Sequence, residues 1–231
     1  MASPKTLTTH ECFLLLNWLI HLDTVVQPHP KSVRNYTIAV LMLDAGLRVG
    51  EVVQLHISDL WFNSIPVTSI IIRPEIAKNH TERIIPVSQR LSNALKKHHT
   101  SLTTPNIYPM ESYAFRSGYR GKPLTTRQVE RIIRSAAEKS LGRPIHPHVL
   151  RHTFASRLMR TTNARVVQEL LGHKNLSSTQ IYTHPNSEDL KKAIENIDES
   201  RNNLERHGVT YKDLDRTPDR LDTPSTDRNM G

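Results

Sequence analysis

Apolar residues recur at helical spacing in several separate stretches of this chain, and caps, glycines and prolines mark the breaks between them. Thr8 with Glu11 three residues on is a capping-box signature and opens a helix over about 8–22. The run Cys12-Phe-Leu-Leu-Leu-Asn-Trp-Leu-Ile inside it reads as a buried helix face, too short to cross a membrane. After the break at Pro28 and Pro30, a second helix over about 31–46 carries Val33, Ile38, Val40, Leu41 and Leu43 and ends at Gly46. Arg48 begins a new turn, Glu51 to Leu55 forms a short helix, and Ser58-Asp59 leads into extended structure.

The pattern then changes. Val67 to Arg73 and Arg83 to Val87 are rich in β-branched residues and read as the two strands of a hairpin. The polar segment Lys78-Asn-His-Thr-Glu82 lies between them, with Lys78 near the turn. Helical spacing returns over about 89–99, and again after Thr125, which with Gln128 caps a helix carrying Val129, Ile132, Ile133 and Ala136. Pro147 suits the first turn of a helix over about 147–160, with Leu150, Phe154 and Leu158 on one face. Asn163 is expected to stop it in a left-handed conformation. Val166, Val167, Leu170 and Leu171 make another apolar face, ended by Gly172. Ser177 or Ser178 is expected to cap a turn carrying Tyr182, and a last amphipathic helix is expected over about 188–198. Aliphatic residues thin out from 207, so 207–231 reads as a polar, disordered tail. The fold class expected is mixed α+β, mainly α-helical, with a small antiparallel sheet near residues 58–87.

Composition narrows this picture. The 231 residues allow one large domain or two small ones, and 37% apolar content is enough for a core with exposed appendages. A formal charge of +9 suits a polyanionic partner such as nucleic acid. Cys12 is the single cysteine, so no internal disulfide forms; with no evident signal peptide, this points to a reducing, cytoplasmic setting.

The chemistry concentrates near the C-terminus. His146-Pro-His148-Val-Leu-Arg151-His-Thr-Phe-Ala is followed by Leu171-Gly-His173 and Ile181-Tyr182-Thr-His184. Arginine offers a planar fork to two phosphate oxygens, histidine moves protons near neutral pH, and an activated tyrosine is a nucleophile. These types together suit a phosphodiester. His148 and Arg151, one helical turn apart, share a face. Taken singly, each residue has an ordinary explanation. Arg48 could decorate a surface, Lys78 could be a solvated turn lysine, His173 a helix-end histidine and Tyr182 a core tyrosine.

Their combination and order are specific. With Gly46-Leu-Arg-Val-Gly-Glu51 and the hairpin lysine, the chain resembles the tyrosine recombinase (phage-integrase) family over about residues 5–198. The resemblance implies a catalytic domain over 1–206, with no preceding core-binding domain. It implies that Arg48 and Arg151 clamp the phosphate and that Lys78 is the acid for the leaving 5′ oxygen. His148 would transfer protons and bind phosphate, His173 would donate to a nonbridging oxygen, and Tyr182 would be the nucleophile. Glu51 would buttress the site from behind. It further implies no cofactor or metal, and double-stranded DNA at a specific recombination site as partner. A homo-tetramer on two duplexes, with the last helix packed in trans, and accessory DNA-bending proteins complete the expectation. Such a protein belongs to a prokaryote, virus or mobile element. Two departures are Gly50, often a small polar residue, and Thr161-Thr-Asn163 in place of a glycine stop. A non-catalytic DNA-binding derivative, a type IB topoisomerase-like enzyme and a histidine-rich metallohydrolase are the alternatives. The last lacks a His-Glu-x-x-His spacing.

Overall fold

The computed structural model describes residues 6–21, 28–78, 80–102, 109–117, 121–172, 191, 194 and 195. Its elements run α1 Thr9–His21, α2 Pro30–Asp44, α3 Val49–Val52, α4 Ile57–Leu60, β1 Trp61–Phe62, β2 Ile65–Pro66, β3 Ser69–Ile72, β4 Arg83–Pro86, α5 Gln89–Ser101, α6 Thr126–Leu141, α7 Pro147–Thr161 and α8 Ala164–Leu171. The mixed, mainly helical architecture is the one expected from the sequence.

Two of the helix starts follow directly from local chemistry. The Thr8 N–H donates to Glu11 Oε2 at 2.8 Å and the Glu11 N–H donates to Thr8 Oγ1 at 3.1 Å, closing the first capping box. Thr125 and Gln128 close the second in the same reciprocal way, at 2.8 and 3.2 Å. Helix α2 is buried along nearly its whole length and packs against α1, α5 and α7, so it forms the axis of the core. Its surroundings explain why the apolar residues of 31–46 are not confined to one stripe.

Among the described residues the β structure is two antiparallel hairpins. β1 pairs with β2, and β3 pairs antiparallel with β4 in the register Ile70↔Ile85 and Ile71↔Ile84. Ile70, Ile72 and Ile85 face the core, and the cross-strand pair Ile71 and Ile84 faces outward. Residues 57–60 form the helical turn α4, which leads directly into β1, as the sequence reading of Ser58-Asp59 had it. The Asp59 carboxylate accepts the His56 N–H at 2.7 Å and an Arg73 guanidinium N–H at 3.1 Å, which stabilises the turn at its start. Asn163 departs from expectation. It is extended, at φ −81° and ψ 160°, and caps α8 by accepting the Val166 N–H at 3.0 Å. An Asx side chain serves a following helix better than it ends a preceding one, so α7 stops because α8 is capped there. Gly172 does end α8 in the left-handed conformation.

Most of the expected last helix, and all of 207–231, lie outside the described residues. Ile194, which is described, is buried in this chain's own core.

His98 on α5 carries a pH consequence. Its ring is buried, stacks on Phe115 with centroids 5.2 Å apart, and sits 3.2 Å from the Ala114 carbonyl through Nε2. Burial pushes its pKa down to about 4; the Ala114 hydrogen bond opposes this, and the charges of Arg34, Arg116 and His99 add to it. A histidine held neutral in the fold contributes stability that is full above its unfolded value of 6.5 and is lost as pH falls toward 4. The expected loss is on the order of 3 kcal/mol. Urea titrations at pH 7 and pH 4.5 should show it, and His98→Phe should abolish much of the difference.

Candidate active site

The short segment between α2 and α3 builds one wall of the site. Gly46 sits at φ +61°, a conformation that L side chains rarely adopt. A Cβ placed there would lie 2.4 Å from Phe154 Cδ1 on α7. Gly46→Ala is therefore expected to destabilise the protein by roughly 2 kcal/mol through backbone strain and overpacking. A thermal melt of the variant checks this. The turn delivers Arg48 to the start of α3 in an extended conformation, with its N–H donating to Glu51 Oε2 at 2.7 Å. The Arg48 Nη1 donates to Glu51 Oε1 at 2.9 Å.

Glu51 is buried and forms the hub. It accepts a bidentate pair from Arg83, Nη1 to Oε1 at 3.0 Å and Nη2 to Oε2 at 2.6 Å. Burial alone would raise its pKa. The hydrogen bonds and charge of Arg83, the Arg48 N–H and the charge of Arg151 outweigh that and hold the carboxyl below its ordinary range. Arg83 was read from the sequence only as the head of a strand. Its sole signal there is a charged residue opening a β-branched run, which does not separate a surface arginine from a buried one.

Arg151 projects from α7 and is also buried. Its Nη1 donates to the Gly46 carbonyl and its Nη2 to the Leu171 carbonyl at 2.7 Å. Burial, with the charges of Arg48 and Arg83, lowers its pKa to about 9, opposed by Glu51. The guanidinium is therefore still charged near neutral pH. His148, one turn earlier, is exposed. The surrounding protein still displaces enough water to disfavour its charged form, and the charges of His152, Arg151 and Arg48 lower its pKa further, against Glu130. A neutral imidazole facing this cationic group can accept a proton.

Arg48, Glu51, Arg151 and His148 are thus brought together. Lys78 follows the buried pair Ile76 and Ala77 in the turn region between β3 and β4, and is itself exposed. Among the described residues no hydrogen bond or ion pair joins it to the arginine cluster. His173 and Tyr182 lie outside the described residues, as does any contact they make. Among the described residues there is no group of His, Cys, Asp and Glu that could hold a metal ion, and no helix long and apolar enough to cross a membrane.

The half-buried Arg48, the buried Arg151 and a histidine at one locus fit an anion such as a phosphodiester. The phage integrase family model matches residues 7–189, which contain every one of these positions. The chain belongs to the phage integrase family. A XerC tyrosine recombinase of Thermodesulfovibrio yellowstonii is 38% identical over 205 residues, covering 86% of this chain and 63% of that protein. A XerC tyrosine recombinase of Pseudomonas fluorescens is 33% identical over 184 residues, 78% of this chain and 56% of the other. The chain therefore spans less than two thirds of these integrase-family relatives. The crystal structure of XerA recombinase superposes with a TM-score of 0.61 at 28% identity, covering 91% of this chain and 68% of that one.

Proposed function

We propose that residues 1–206 are the catalytic domain of a site-specific DNA recombinase that breaks and rejoins strands through a covalent tyrosine link. The observation that carries this reading is the junction of Arg48 and Arg151 around the buried carboxylate of Glu51. In the reaction, Tyr182 Oη attacks the scissile phosphorus while His148 accepts its proton. Charge accumulating on the nonbridging oxygens is stabilised by Arg48, Arg151 and a donor from His173, with no metal required. The bond to the 5′ oxygen breaks as Lys78 supplies its proton. The product is a 3′-phosphotyrosyl link and a free 5′ hydroxyl. Attack by the 5′ hydroxyl of another strand reverses the step and conserves the bond energy. Glu51 orients Arg48 and takes no proton.

The partner is double-stranded DNA at a specific site, held in the cytoplasm by four copies on two duplexes, with bending proteins as accessories. Integration, excision and inversion all use this chemistry. The kinship with XerC recombinases and the excess of positive charge both support the reading.

The test is a suicide substrate. Duplexes with a randomised core and a nick near the cleavage position are incubated with the chain, and covalent protein–DNA complexes are recovered from a denaturing gel. The nick lets the short released strand diffuse away, so religation fails and the intermediate accumulates. The expected result is a covalent complex with one enriched core sequence and the DNA attached at Tyr182. DNA retention on a native gel without any covalent complex would replace this reading with that of a non-catalytic DNA-binding protein.

A further inference from the structure

One buried residue on β4 gathers contacts from two other elements, α3 and α8, and has no part in the chemistry above. Arg83 is 4% exposed at the head of β4. It grips both oxygens of Glu51 on α3, and its Nε donates to the Leu170 carbonyl of α8 at 3.1 Å. Both partners bear on the proposed phosphate clamp. Glu51 also holds Arg48, and the next carbonyl along α8, that of Leu171, holds Arg151. Gly172 packs so closely that a Cβ there would lie 3.1 Å from Arg83 Cδ. The guanidinium is thus enclosed by intramolecular partners and does not reach outward to a ligand.

We propose, resting on the strand-transfer reading, that Arg83 is a positioning residue: through Glu51 and the end of α8 it sets the spacing of Arg48 and Arg151 on the phosphate. Its planar fork is what the position requires. Lysine would keep the charge but has no geometry that serves both Glu51 oxygens and the Leu170 carbonyl at once. The arms of the clamp would then shift by a fraction of an ångström, and misplacement on this scale costs about 10²-fold in rate.

The experiment compares two suicide substrates of the enriched core sequence, one with a normal phosphodiester and one with a methylphosphonate at the scissile position. Replacing a nonbridging oxygen by methyl removes the formal negative charge that the clamp neutralises, so attack there leans less on two well-placed guanidiniums. For Arg83→Lys, the rate of covalent complex formation should fall about 10²-fold on the diester and less than about threefold on the methylphosphonate. Glu51→Gln, which keeps the shape but weakens the hold on Arg83, should shift the ratio in the same direction. The ratio is taken within one preparation, so any loss of folded protein cancels. An equal loss on both substrates, or no loss on either, would overturn the proposal. Wild-type protein that reacts with neither substrate would overturn the strand-transfer reading itself, and the Arg83 role with it.

Discussion

Tyr182→Phe is expected to leave DNA binding intact while the covalent complex disappears from the denaturing gel. The substitution removes one oxygen and keeps the ring, so packing around the position changes little. It takes away the only atom proposed to bond to phosphorus. Loss of a nucleophile leaves only binding and charge stabilisation, and the fall in cleavage should be at least about 10⁴-fold. On the proposed reading affinity comes from phosphate contacts, with Arg48 and Arg151 among them, and so the native-gel dissociation constant should hold within about threefold. Affinity should also fall steeply with added salt in both proteins, because counterions are released on binding. A complex that persists in Tyr182→Phe would place the nucleophile on another residue.

Glu51→Ala is expected to produce the largest loss of stability of any single substitution at the site. The side chains of Glu51 and Arg83 are each 2% exposed and lie 2.6 Å apart. Truncating the carboxylate leaves a guanidinium buried without its bidentate partner, at a cost of about 3–5 kcal/mol. The Arg134–Glu138 pair gives the contrast, with side chains 62% and 45% exposed. Glu138→Ala should cost no more than about 0.5 kcal/mol, and added salt should screen even that. Urea unfolding of the two variants at low and high salt separates the cases. The Glu51 contribution also has a defined pH dependence. Its folded pKa lies below the ordinary 4.5, so the stability is present above that value and is lost as pH falls through the folded pKa. A loss for Glu51→Ala under about 1 kcal/mol would mean that water reaches Arg83 and satisfies it.

Where a residue's structural role was set by its near neighbours, it was legible in the sequence. Thr8 with Glu11 and Thr125 with Gln128 marked helix starts because a cap is completed within three residues. His148 and Arg151 were placed together because helical geometry alone puts them on one face. The error came where a polar side chain had two local options. Asn163 could end one helix or begin the next, and the capping of Val166 N–H decided it. Asp59 was placed at the entry to extended structure, and its carboxylate makes the turn of α4 there by accepting the His56 N–H. Arg83 was missed for a different reason. Its partners Glu51 and Leu170 are 32 and 87 residues away, and no local pattern encodes a contact of that kind. Arg48, Glu51 and Arg151 were singled out by the order and spacing that carry the family resemblance, whereas the contacts that hold them were visible only in three dimensions.

The two arginines of the proposed clamp are tethered in different ways, and this bears on how the sequence can drift. Arg48 leans on a side chain, so its partner is lost whenever position 51 changes. Arg151 leans on the carbonyls of Gly46 and Leu171, which every amino acid carries. No single side-chain replacement can delete those acceptors; only a change in backbone course can. The tolerance of mutation at these two acceptors is thus governed by two left-handed glycines, Gly46 and Gly172, rather than by side-chain chemistry. Variation at position 171 should be silent for the clamp as long as the new side chain fills the same space, while the glycines on either side of the cluster admit almost none.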